Sequence, residues 1–195
     1  MKTLADAWHW YEATRRNLGR MQRLGAKHWD DLPWETASVG RDDVFRTLEA
    51  SDIVAETTTS LRPIDDLAVV VLFSGFESHV RDYLAARIKP EAAGLSDPIL
   101  KEAAEDAIQG VEEGSFSRRV LSPLKEQGHV SGALVTQVDQ VRDYRNWVAH
   151  GRRDAPTNNI TPLMAYERLK EFLAVLSIAA ESEEAAPEPL GEGAE

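Results

Sequence analysis

Apolar residues recur along this chain at helical spacing, and no segment alternates as a half-buried strand would. Leu4, Trp8, Tyr11, Leu18 and Met21 predict a first helix over about residues 3–24. His28-Trp29-Asp30-Asp31-Leu32-Pro33-Trp34 then reads as a loop whose tryptophans pack onto the domain. A second helix is expected from Asp42 to about Thr57, where three successive β-branched threonines are poor helix formers. Pro63 suits the first turn of a third helix, which should end near Lys89, before Pro90. Its Val69, Leu72, Phe73, Phe76, Val80, Tyr83 and Leu84 make a wide apolar stripe, so this helix should be central. Ser96-Asp97-Pro98 is a cap followed by proline, and opens a helix to about Gln109. A short helix after Gly114 should break near Pro123 and end at Gly128. Val130, Leu134, Val138, Val141 and Val148 define a seam helix over 130–150. Thr161-Pro162 caps a last helix, to about residue 182, whose stripe is Ala165, Leu169, Phe172, Leu173, Leu176 and Ala180. The pattern predicts an all-α protein. One domain should span 1–180, with its core between the helices near 66–89, 130–150 and 161–182. Residues 181–195 are rich in Glu, Ala, Pro and Gly without a basic residue, and read as a disordered acidic tail.

The seam contains one residue of the wrong kind. After Leu134, Val138 and Val141 the next position on that face is Arg145. Burying a guanidinium unpaired costs several kcal/mol or more, so Arg145 needs an acidic partner, a wet cleft or an anionic ligand. Glu77, at the edge of the central stripe, either pairs with Arg81 one turn on or reaches across to Arg145. His150 follows five residues later, about 140° round the helix and about 7.5 Å along it. It shares a face with Asn146 and Asp139. One helix alone does not aim Arg145 and His150 at the same atom, but a cleft completed by a second copy can. Gly151 is the expected helix stop, because glycine enters the left-handed conformation without a steric penalty.

Composition narrows the classes. With 195 residues and 43% hydrophobic content the chain can build a substantial single core. Its best apolar run, Leu67 to Phe73, falls far short of the roughly 18 residues of a membrane span, and no signal peptide is evident, so no membrane partner is expected. The absence of cysteine excludes disulfides, zinc–thiolate sites and cysteine nucleophiles, and fits a cytoplasmic protein. A net charge of −11 argues against coating duplex DNA with a basic surface. Any nucleic-acid site must be a local patch, such as the one Arg142, Arg152 and Arg153 make around the seam-helix end. Arg15, Arg16, Arg20, Arg23 and Lys27 make another strip on the first helix, more in keeping with a solvated face than with phosphate contact. The five histidines show no metal-ligand spacing and there is no Gly-rich phosphate loop, so neither metal nor cofactor is expected. His79, near the central stripe, reads as a packed core histidine.

Arg145-Asn146-Trp147-Val148-Ala149-His150 resembles the R-x4-6-H signature of HEPN domains, with the polar residue that usually follows the arginine. Arg-Asn-x-x-Ala-His-Gly resembles the bacterial branches in particular. The resemblance implies a HEPN-like multi-helix up-and-down bundle, and a metal-independent endoribonuclease that pairs two motifs across a homodimer. It also implies RNA as substrate and a toxin–antitoxin or anti-phage setting, with an antitoxin protein as a further partner. Arg145, His150 and Asn146 would then be catalytic, Glu77 and Arg142 supporting, and Arg152 and Arg153 RNA-binding. The residue types suit the chemistry. Histidine can take or give a proton near neutrality, and arginine offers a fixed fork of donors to phosphate. Asn146 could hold His150 in one tautomer or bond the ribose. Two other readings use the same residues. One is a non-catalytic module that binds RNA, a nucleotide or a protein; the other is a helical dimerisation scaffold. The binding module would use the same cleft; in a purely structural role, Arg145 is a dimer-interface or core ion pair and His150 a capping residue whose ring bonds a carbonyl.

Overall fold

Val69, Leu72, Phe73, Phe76 and Val80 are all fully buried, and the other helices are arranged around the one that carries them. The computed structural model describes residues 3–35, 43, 47–152, 155–156 and 158–176. Its helices are α1 (Leu4–Arg23), α2 (Ala50–Ala93), α3 (Pro98–Glu113), α4 (Ser122–Glu126), α5 (Gly132–Ala149) and α6 (Pro162–Val175). A π-helical turn, Leu24–His28, extends α1, and another, Ser117–Leu121, leads into α4. Among the described residues there is no strand, so the protein is an all-α bundle, and α2 packs against α1, α3, α5 and α6. The four phenylalanines Phe73, Phe76, Phe116 and Phe172 meet at ring-centroid distances of 5.3–5.9 Å. Most of these pairs are edge-on, the arrangement that aromatic quadrupoles favour. Ala7 of α1, Val138 and Val141 of α5, and Ala165, Leu169 and Leu173 of α6 complete this core. No helix among the described residues is long and apolar enough to cross a membrane.

The caps explain most helix starts. Thr3 and Asp6 close a capping box on α1, Asp97 caps α3, Ser131 caps α5 and Thr161 caps α6. The loop after α1 packs as expected: Trp29 is buried, and Trp34 donates its indole N–H to the Trp29 carbonyl at 3.0 Å.

The largest departure from the sequence pattern is α2. It is one helix of 44 residues where two were expected. It starts at Ala50, where Glu49 and Asp52 form a capping box; the earlier start expected at Asp42 lies outside the described residues. The threonine run does not end it. The hydroxyls of Thr57, Thr58 and Thr59 donate to the carbonyls of Ile53, Val54 and Ala55 at 2.6, 2.6 and 2.8 Å, so each polar group is satisfied within the helix. Pro63 and Pro90 both sit inside the helix rather than at its ends. Each removes a helical N–H donor, but burial of Ile53 and Thr57 before Pro63, and of Ala92 beyond Pro90, holds the flanking turns in place. Similarly, α3 continues through Gly110 to Glu113, and Pro123 opens α4 instead of breaking it. The acidic tail at 181–195, and the expected end of the last helix near residue 182, lie outside the described residues.

Candidate functional site

Two backbone hydrogen bonds terminate α5. The Gly151 N–H bonds the Val148 carbonyl at 3.1 Å and the Arg152 N–H bonds the Trp147 carbonyl at 3.0 Å, which together make a Schellman motif. Gly151 has φ +80°, as the sequence predicts, and Arg152 follows at φ +57°, rare for a residue with a Cβ. Arg152 is held there by an ion pair with the buried Asp66 and by its position over the Trp147 ring, 5.9 Å from the centroid. His150 is the C-cap. Its backbone N–H bonds the Asn146 carbonyl at 2.9 Å, while its imidazole is exposed and has no hydrogen-bond partner among the described residues.

Arg145 does find the acid it needs. Its Nη2 donates to Glu77 Oε2 at 3.0 Å, its Nη1 donates to Asn146 Oδ1 at 2.9 Å, and its Cζ lies 5.2 Å from the centre of the Phe73 ring. Glu77 does not choose between its two neighbours, because its other oxygen accepts from Arg81 Nη2 at 2.6 Å. Arg81 in turn donates to the carbonyls of Val111 and Gly114 and lies over Phe116, so it ties the end of α3 to α2. An arginine has five N–H donors, and the two bonds of Arg145 leave three without a partner among the described residues. The side chain is 28% exposed, so those donors can meet an anion.

The structure therefore brings Glu77, Arg145 and Asn146 together and leaves His150 apart from them. The Asn146 oxygen accepts from Arg145, and no hydrogen bond joins Asn146 to the His150 ring among the described residues. The expected basic patch is largely matched by carboxylates. Arg142 lies 2.8 Å from Asp139, close but not in line for a hydrogen bond, and 3.0 Å from Asp143. Arg152 faces Asp66, and Arg153 lies outside the described residues. His79 sits against the core with Nε2 buried and without a partner among the described residues.

Sequence reasoning missed Asp65 and Asp66. Each meets one tyrosine and one arginine: Asp65 accepts from the Tyr11 hydroxyl (2.8 Å) and Arg15, and Asp66 accepts from the Tyr144 hydroxyl (2.6 Å) and forms an ion pair with Arg152. The signal was present, since Asp66 precedes Val69 and Phe73 by three and seven residues on the buried stripe of α2. Both tyrosine–aspartate pairs and Arg15 line a cleft of about 520 Å³, with Trp8, Arg62, Trp147 and Ile160 among its other walls.

Burial, then the hydrogen bond to Asp65, pushes the Tyr11 hydroxyl up from its ordinary 10 to about 12, and burial with Asp66 does the same for Tyr144. A folded-state value above the unfolded one means that the folded chain holds the proton more tightly. The resulting stability, on the order of 2 kcal/mol per tyrosine, is complete below about pH 10 and is lost as pH rises towards 12. Urea unfolding should show stability falling over that window, and Tyr11→Phe with Tyr144→Phe should flatten the fall. Equal slopes in parent and double variant would show that the hydroxyls carry no such linkage. Comparison of the chain with family models, curated proteins and solved structures finds no match.

Proposed function

We propose that the chain is a metal-independent endoribonuclease of the HEPN type, acting on RNA through Arg145 and His150 as a homodimer. The observation that carries this reading is the end of α5. There a guanidinium held in place by Glu77 keeps three donors to offer, and an imidazole with no partner among the described residues follows five positions on. RNA cleaves itself when its 2′-OH loses a proton and attacks the adjacent phosphate. Histidine supplies a proton-transfer group, and arginine the positive charge that stabilises the negative phosphorane oxygens. Within one chain Arg145 and His150 lie on different sides of α5, about 140° apart. A second copy meeting this one at the same helix end would set the arginine of one protomer against the histidine of the other, with one histidine accepting and the other donating. The resemblance supplies the setting, a toxin or anti-phage effector restrained by an antitoxin protein in the cytoplasm.

A second reading has its own observation. Glu77 and Phe73 hold Arg145 as they would hold a structural ion pair, which favours a non-catalytic HEPN-like binding module or dimerisation scaffold. The test is cleavage of single-stranded RNA by the purified protein in EDTA. The ribonuclease should leave a 2′,3′-cyclic phosphate and a 5′-hydroxyl, and should spare DNA of the same sequence, which lacks the 2′-OH. Fragments ending in 5′-phosphate, or a requirement for Mg²⁺, would show that the assigned chemistry is wrong. Full activity in a chain that light scattering finds monomeric would rule out the composite site.

A further inference from the structure

We infer that a groove along α1, continuous with the aromatic cleft, is a docking track for single-stranded RNA. The cleft between Trp8 and Trp147 takes a base, and Arg16, Arg20 and Arg23 follow the phosphates. Between Asp6 and Asp30 the sequence has one carboxylate, Glu12, against Arg15, Arg16, Arg20, Arg23 and Lys27, in a chain whose net charge is −11. Arg15 is committed to Asp65. Arg16, Arg20 and Arg23 are exposed, and among the described residues none has an ion pair; Arg20 donates only to the Asn17 side chain at 3.3 Å. Spacings of four and three put them on one face of α1. Gly19 lies in the groove they border, and nothing lies within 4 Å of where its Cβ would be, so the groove is open for lack of a side chain.

The groove and the cleft share Trp8, Tyr11 and Arg15, which makes them one surface. From Trp8 to Arg23 it runs about 22 Å along α1. Arg62, also without an ion pair among the described residues, stands over the cleft. Trp8 already stacks on Tyr166 at 4.7 Å and 17°, so its ring is set in a fixed plane. Guanidiniums in a row, without ion pairs among the described residues and beside aromatic walls, match a strand that presents phosphates and bases together. An acidic peptide would satisfy the arginines and leave the aromatic walls unused. Trp147 precedes His150 by three residues, about 60° round α5 and about 4.5 Å along it, so the cleft end of the track leads towards His150. The choice of RNA rests on the ribonuclease reading; the binding surface does not.

The test measures binding of a labelled single-stranded RNA in the His150→Ala chain, so that bound strand is not consumed. Changing Arg16, Arg20 and Arg23 together to Ala should weaken binding about tenfold or more and reduce the dependence of log affinity on log salt by about 2. Gly19→Glu places a carboxylate in the groove among Arg15, Arg16, Arg20 and Arg23 with no clash at its Cβ, and replaces a helical glycine with a better helix former. It should melt at or above the parent's temperature and still lose binding. Unchanged affinity in both variants, no binding by the parent, or displacement of RNA by polyglutamate of equal charge at equal concentration would each overturn the track. The two proposals fail separately. An RNA-cleaving parent whose Gly19→Glu variant, with His150 restored, keeps the same KM would remove the track and leave the ribonuclease. Binding lost with Gly19→Glu in a protein that cleaves no RNA would remove the ribonuclease and leave the track.

Discussion

His150→Ala is expected to slow cleavage of single-stranded RNA by about 10²–10⁴-fold, the usual loss when one proton-transfer group is removed. Stability should hardly change. The imidazole is exposed and makes no hydrogen bond among the described residues, and His150 caps α5 through its backbone N–H, which alanine retains. A large rate effect without a melting-temperature effect separates a catalytic histidine from a merely capping one. Arg145→Lys should also be poorly tolerated. An ammonium keeps the charge but cannot bond Glu77 and Asn146 while still offering a planar pair of donors. Asn146→Ala should cost less, because Asn146 acts on Arg145 and not on the histidine ring. Dimers mixed from one intact and one doubly substituted motif address the composite site directly. Loss of most activity is expected, whereas independent sites would keep about half. Parent-level cleavage by His150→Ala would take the histidine out of the mechanism.

The residues that repay periodic reading are those whose meaning is local. Arg145 is conspicuous because the seam through Leu134, Val138 and Val141 leads to it, and Glu77 because it borders the stripe through Phe73, Phe76 and Val80. That Glu77 serves Arg81 and Arg145 at once is not local. It depends on how α5 crosses α2, which one-dimensional spacing does not encode. The tyrosines show the same limit. Tyr11 and Tyr144 look like ordinary core aromatics, but their hydroxyls end on carboxylates 54 and 78 residues away. The error at α2 has a different origin. Threonines and Pro63 are weak helix formers alone, and packing of the turns on both sides outweighs their propensity. The pairing of Arg142 with Asp139 and Asp143, by contrast, was readable from positions three back and one on.

Glu77→Ala should destabilise the fold by about 2–3 kcal/mol, and Arg145→Ala by about 1 kcal/mol or less. The asymmetry follows from who depends on whom. Glu77 is the shared counter-charge of two guanidiniums whose side chains are 14% and 28% exposed. Removing it leaves two like charges side by side, partly out of water, and loosens Arg81 where it ties the carbonyls of Val111 and Gly114 to α2. Removing Arg145 leaves Glu77 still paired with Arg81 at 2.6 Å, so no buried charge is orphaned. A fully buried pair broken on one side costs about 3–5 kcal/mol, and partial exposure reduces that. Glu77→Gln, which retains a carbonyl acceptor, should fall between. Urea unfolding of the two single variants and of the double variant measures the coupling, and the double variant should be more stable than the sum of the singles implies because the second guanidinium is gone. The comparison also decides what Arg145 is for. If Arg145→Ala costs as much stability as Glu77→Ala, the arginine is part of the scaffold and the ribonuclease reading loses its phosphate-binding cation. If Arg145→Ala folds like the parent and fails to cleave RNA, the guanidinium is kept in the seam for the three donors that have no partner among the described residues.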